Sequence, residues 1–170
     1  LLKVKAGSLK LDGGLLANGQ FGWHGGAGGG IRVEVGAFTG TGRIEAFGSR
    51  GSYGGGGGGR VAVYYDTATS SFDWSKVLAG GGINGGVGSV YLKGNLQEYG
   101  DLVFDNAGVA FDLNYAIPTT LLSSPGGQQV FRNFTVTRNA QVFTTDTLVI
   151  TGTLTVSPGS RLQSQNHNLP

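Results

Sequence analysis

The chain of 170 residues has no cysteine and no methionine, only four prolines, and charged side chains at 13% of its positions. Without cysteine it can form neither a disulfide framework nor a thiolate zinc site. Its two histidines, His24 and His167, are 143 residues apart, so they suggest no metal pair. Twelve Lys and Arg against ten Asp and Glu leave a net charge of +2. The basic residues are scattered rather than gathered into the dense stripe that nucleic acid requires. No run approaches the ~18 apolar residues of a membrane span. A sustained period of 3.6 is also missing, which predicts almost no helix. The chain opens mid-pattern at Leu1-Leu2-Lys3-Val4 and closes on Asn168-Leu169-Pro170, as a piece of a longer protein would. The lack of a leader sequence therefore carries no meaning.

What the chain has is glycine, at 34 positions, about three times the usual share of roughly 7%. It does not recur at every third position, so the chain is not collagen. Valine, leucine, isoleucine and the aromatics recur in short ordered patterns, which gives the chain apolar surface to bury and argues against disorder.

Self-similarity at a fixed period organises residues 1–94. Leu2-Lys3-Val4-Lys5-Ala6-Gly7 overlies Ile31-Arg32-Val33-Glu34-Val35-Gly36 at an offset of 29. The same offset carries Leu15-Leu16-Ala17-Asn18-Gly19 onto Ile44-Glu45-Ala46-Phe47-Gly48, and Gly25–Gly30 onto Gly54–Gly59. A third copy runs from Val61-Ala62-Val63-Tyr64-Tyr65 through Val77-Leu78-Ala79 to Gly85-Gly86-Val87-Gly88, then hands over to Val90-Tyr91-Leu92-Lys93. Each copy reads as strand, turn, strand and glycine run. Alternation within the strands places Ile31, Val33, Val35, Val61, Val63 and Val90 on one buried face.

Glycine inside regular structure costs ~0.5–1 kcal/mol against alanine, so six in succession need a reason. Close approach of backbones supplies one. A left-handed extended helix rises ~3.1 Å per residue, so six glycines span ~19 Å, the length of a five- or six-residue strand. The runs are therefore expected to be extended and packed beside the strands, with Gly57 among the positions that a Cβ branch would disrupt.

From residue 95 to 170 the glycine density falls. Apolar triplets at Phe134-Thr135-Val136, Gln141-Val142-Phe143, Leu148-Val149-Ile150, Leu154-Thr155-Val156 and Arg161-Leu162-Gln163 start seven, seven, six and seven residues apart. Either a hairpin meander or rungs of about three strands would fit. The absence of Asn-Gly and Asp-Gly turns in this half favours rungs. Gly100–Asp105 and Val109-Ala110-Phe111-Asp112 read as an earlier rung, and Ile117–Gly127 as a loop. The expected fold class is all-β: a repetitive, parallel β-helix-like solenoid with packed glycine-rich segments, continuous through both halves.

Gly54–Gly59 followed by Arg60-Val61-Ala62-Val63-Tyr64-Tyr65, and Gly88-Ser89-Val90-Tyr91-Leu92-Lys93, resemble the glycine-rich β-solenoid modules of very large bacterial surface and adhesin-like proteins. The resemblance covers roughly residues 14–94. It implies export to the cell surface or the extracellular space, and an architectural or attachment role whose partners are neighbouring repeats or subunits. The glycine runs are also similar to polyglycine layers in some phage tail-tip adhesins and receptor ectodomains.

The chemistry-bearing residues are sparse. Gly54, Gly56 and Gly59 satisfy Gly-x-Gly-x-x-Gly, but they precede a strand, whereas a dinucleotide site opens a helix. Asn133-Phe134-Thr135 matches a glycosylation acceptor and reads more simply as a strand start. Gly80-Gly81-Gly82-Ile83-Asn84-Gly85 lacks the Asp of a calcium-binding nonapeptide, which leaves only a lone calcium on Asp101, Asp105 or carbonyls as an open option. The sequence shows no cofactor motif. A polysaccharide-degrading β-helix would need clustered carboxylates. The acids here are dispersed, with Asp66 and Asp73 flanking one loop, so a site would have to be assembled from Asp101, Asp105, Asp112, Lys93 and Arg132. One cluster does stand out. Phe21-Gly22-Trp23-His24 overlies Arg50-Gly51-Ser52-Tyr53, so stacked copies would gather Phe21, Trp23, His24, Arg50 and Tyr53 at the loop tips. Such aromatics either hold surface glycans or protein partners, or shield the end of the glycine layer. The expected function is a non-enzymatic structural module, a rigid scaffold or adhesive stalk. The alternative is a carbohydrate-binding or adhesive module that uses those tips.

Overall fold

A computed structural model describes residues 1–110 and 118–164 of the chain. They are all-β. The one helical element among them is a single 3-10 turn, Trp74–Lys76. The first half contains β1 (Leu2–Lys10), β2 (Gly14–Leu16), β3 (Gly30–Thr39), β4 (Arg43–Glu45), β5 (Arg60–Tyr65), β6 (Val77–Leu78) and β7 (Ser89–Gly94). The second contains β8 (Asp101–Asp105), β9 (Thr119–Leu121), β10 (Gln128–Phe131), β11 (Phe134–Thr137), β12 (Gln141–Thr144), β13 (Thr147–Ile150), β14 (Leu154–Val156) and β15 (Arg161–Ser164).

Alternate strands of the first half go to different sheets. The order β1-β3-β5-β7 opens a seven-stranded sheet that continues β8-β11-β14, while β2-β4-β6 form a second sheet. Pairing within both first-half sets is parallel, with Leu2 opposite Ile31 and Leu15 opposite Ile44, the registers that the repeat predicts. Ile31, Val33, Val35, Val61, Val63 and Val90 are all buried in one cluster, as the alternation predicts. Fully burying each such side chain contributes ~1.5–3 kcal/mol. In the third copy the connection between the two strands is longer: Ile44 pairs with Val77, thirty-three residues on. The extra chain brings in Phe72, which stacks on Phe38, and Trp74, which packs tilted against Tyr65, at centroid distances of 4.4 and 4.3 Å.

Beside these strands, backbone takes the place of side chains. The Gly55 and Gly58 amides donate to the Ile83 and Gly86 carbonyls of the next copy (2.8 Å each), while Gly56 and Gly59 donate to Ser49 and Ala46 of their own. One copy earlier, Gly25 and Gly28 donate to Gly54 and Gly57, and Gly26 and Gly29 to Gln20 and Ala17. A direction that recurs every third residue is the symmetry of a left-handed extended helix. Added Cβ atoms at Gly56, Gly58 and Gly59 would overlap backbone atoms of Gly26, Ala79 and Gly29 respectively. At Gly57 the nearest atom would be the Gly86 oxygen, at an ordinary 3.7 Å. The expectation that Gly57 is tightly packed is therefore corrected, because it lies on the one open side of three.

The register explains the miss. Hydrogen bonding matches the first and second glycine runs at an offset of 30, and the following strands keep it, with Ile31 opposite Val61. Ala27, the non-glycine of the first run, then falls where Gly57 does. Val87 takes the place of Gly28 and Gly58 in the third copy, and its side chain enters the second core.

In the second half, sheet membership cycles through three sheets: β8-β11-β14 in the large one, β9-β12-β15 and β10-β13 in two smaller ones. All these pairings are parallel. Phe134 faces Leu154 and Gln141 faces Arg161, each twenty residues on, the sum of three triplet spacings. The segment expected to be a loop in fact contributes β9, which pairs with Val142–Thr144. Of the earlier rung, β8 forms; Phe111, Asp112 and Ile117 lie outside the described residues.

The halves meet at the one antiparallel pair among the described residues, β7–β8, where Val90 faces Val103 and Tyr91 faces Leu102. Directly opposed residues share a face. Val90 belongs to the first core, with Val103 packed on it, and Leu102 to the second, with Tyr91 packed on it. The two cores thus lie on opposite faces of the shared sheet. Crossovers between parallel strands keep one hand, so reversing strand direction obliges them, and the core beneath them, to change sides.

Candidate functional site

The loop tips come together as the repeat predicts. Gly22 and Gly51 form a parallel bridge, and the Tyr53 amide donates to the Trp23 carbonyl (3.0 Å). Glycine is required at position 51, where a Cβ would meet the His24 carbonyl carbon at 2.6 Å. The Trp23 and Tyr53 rings stack, with centroids 6.0 Å apart and planes 13° from parallel. His24 lies 5.9 Å from Tyr53. Phe21, Trp23 and Tyr53 are 72%, 74% and 73% exposed, so packing does not account for them. No ring contact or hydrogen bond joins Phe21 to Arg50 among the described residues. The tip therefore consists of Trp23, His24 and Tyr53, with Phe21 and Arg50 beside it.

The dispersed acids have structural partners. Asp101 accepts from the Arg132 guanidinium (Nε at 2.8 Å), the Asn133 amide and the Asn133 side chain. Asp105 pairs with Arg138. Asp66 accepts from the Ala68 amide, and Asp73 caps the 3-10 turn through the Ser75 amide and hydroxyl. Lys93 points to the opposite sheet face from Asp101, since Asp101 is paired with its neighbour Leu92. Asp112 and His167 lie outside the described residues. Among the described residues, no three His, Cys, Asp or Glu side chains are grouped to hold a metal. No helix among them is long and apolar enough to cross a membrane.

Several side chains missed by the sequence reading tie each copy to the next. Asp12 accepts from the Thr41 amide, Asn18 from Phe47 and Asn133 from Thr153. The Thr41 amide is the largest influence holding the Asp12 carboxyl below its usual range. Asp12 over Thr41 and Asn18 over Phe47 are each separated by 29, so the repeat itself carried this signal.

Neither a family model, nor a curated protein, nor a solved structure matches this chain.

Proposed function

We propose that the chain is a β-solenoid module of an exported surface protein or filament, serving as a rigid scaffold with no catalytic role. One observation carries this reading: backbone hydrogen bonds run from glycine run to glycine run through three successive copies. Such a lattice stiffens a chain that has no disulfide, and a scaffold needs stiffness rather than a pocket. The parallel registers at 29, 30 and 29 residues support continued winding through the first half. Hydrogen exchange tests the scaffold. The Gly25, Gly28, Gly55 and Gly58 amides should exchange only on global unfolding; exchange on the timescale of exposed loops would reduce the runs to linkers. Incubation with pectin, alginate and xylan, with and without calcium, should release no unsaturated products. Turnover that is lost in Asp101→Asn would make the chain an enzyme.

A second reading, an adhesive or carbohydrate-binding tip, draws on the stacked and exposed Trp23 and Tyr53. A glycan array probed with the native chain and with Trp23→Ala separates the two. A signal abolished by the substitution assigns adhesion to the tip, whereas an array with no signal leaves the scaffold role alone.

A further inference from the structure

The outer face of β1, β3, β5 and β7, away from the tips, has a different character. Register across the four strands aligns Lys5, Glu34, Tyr64 and Lys93 in one row, and Lys3, Arg32, Ala62 and Tyr91 in the next. Along the first of these rows lies a hollow of about 820 Å³, lined among others by Lys5, Arg32, Glu34, Tyr64, Asp66 and Lys93. That lies within the ~300–1,000 Å³ range of sites that take small ligands or segments of a polymer.

The Tyr64 ring in the hollow is held in place. The Arg32 guanidinium sits 4.8 Å over the Tyr64 ring, Arg32 is itself paired with Glu34, and Tyr91 meets Tyr64 edge-on at 6.0 Å. Glu34 is thus neutralised, and Asp66 accepts from its own turn. Lys3, Lys5 and Lys93 have no ion pair among the described residues. The hollow combines the fixed Tyr64 ring with an excess of positive charge, Lys5, Arg32 and Lys93 against Glu34 and Asp66.

We infer that this outer face binds an acidic polysaccharide laid across the strands, its rings against Tyr64 and its carboxylates toward Lys5 and Lys93. Three features select this occupant. Aromatic faces flanked by polar groups suit pyranose rings, which have apolar faces and hydroxyl rims. Adjacent strands lie ~4.8 Å apart, close to the length of one sugar unit, so the rows repeat in step with such a chain. The unpaired lysines complement carboxylates. A peptide strand would add alongside the edge strand β1 rather than lie across the face, because β3, β5 and β7 are paired on both sides.

The test is affinity electrophoresis of the native chain in gels containing polygalacturonate, alginate or neutral dextran, with binding constants from calorimetry. Both acidic polymers should retard the protein and dextran should not. Tyr64→Ala and Lys5→Glu/Lys93→Glu should each weaken binding at least tenfold with unchanged melting temperatures, while Trp23→Ala leaves it intact. Absence of retardation by either acidic polymer, equal retardation by dextran, or loss of binding in Trp23→Ala would overturn the inference. So would duplex DNA binding as tightly as the polysaccharides with Tyr64→Ala neutral, which would leave only a cationic surface. If Tyr64→Ala lowers the melting temperature, Lys93→Glu alone decides, since its side chain bears on no core.

Discussion

Gly58→Ala and Gly57→Ala differ by one position in a run of identical residues, and they should have opposite effects. A Cβ at Gly58 would overlap the Ala79 carbonyl oxygen and crowd the Gly88 nitrogen, two groups that are hydrogen-bonded to each other at 2.7 Å. Making room breaks that bond and displaces the Gly58 amide from the Gly86 carbonyl. Each buried group left unpaired costs ~1–3 kcal/mol, so a loss of about 3 kcal/mol is expected after the entropic gain of replacing glycine. At ~2–4 °C per kcal/mol for a chain of this size, the melting temperature should fall by ~6–12 °C. Gly57→Ala meets no such obstacle and keeps only the gain, ~0.4–1 kcal/mol, so it should raise the melting temperature slightly. Thermal and urea unfolding followed by the fluorescence of Trp74, which is packed on Tyr65 and Phe38, reads both. Equal destabilisation by the two substitutions would refute the threefold packing.

Asn106 is completely buried; its Oδ1 accepts from the Gly81 amide at 2.8 Å and its Nδ2 donates to the Val109 carbonyl. Asn106→Ala should cost ~1–3 kcal/mol in urea unfolding, because the Gly81 amide is left buried and unpaired. Asp101→Asn keeps the shape and loses the charge that Arg132 faces, and with that pair partly exposed it should cost about 1 kcal/mol in the same assay. Asp12, Asp73 and Asp146 are held below 3.8, chiefly by the Thr41 amide, the Ser75 hydroxyl and the Ser124 amide respectively. Below about pH 4 the unfolded chain takes up protons that the folded chain refuses, so stability should be level above that pH and fall beneath it. Urea midpoints from pH 6 to 2.5 check this, and Asp146→Asn should make the fall shallower.

The strands of the first half were legible because alternation and the repeat agree. Leu2 over Ile31 and Leu15 over Ile44 follow from residue type alone. The glycine runs were not legible to one residue. A run of identical residues without side chains matches itself after any single shift, so the step from 29 to 30 has no sequence signature and Gly57 was misplaced. The pairing of Glu34 with Tyr64 and of Tyr64 with Lys93, which lines the outer hollow, depends on that step and on the strand registers after it. The tips could be read because the offset there stays at 29, as the Gly22–Gly51 bridge and the approach of His24 to Tyr53 show, although the ring that stacks on Tyr53 is that of Trp23, one residue earlier. β9 was hidden by Pro118 and the Ser-Pro-Gly-Gly segment around it, whose local chemistry signals a turn. The reversal at β7–β8 depends on how residues 95–100 fold back, and no Gly-paired turn motif marks it.

That reversal has a mechanical consequence. Strands lie across the direction in which copies stack, so a pull along the stack loads the backbone hydrogen bonds lengthwise. β5 and β7 resist it from Arg60–Ser89 to Tyr65–Gly94, whereas β7 and β8 are joined only from Val90–Val103 to Leu92–Asp101. Beyond that short ladder, the bonds across the joint include Asn106 to Gly81 and Thr119 to the Val87 carbonyl. A tethered molecule stretched from its ends should therefore part first between Leu92 and Asp101, in one step, with the glycine lattice still intact on one side of the break.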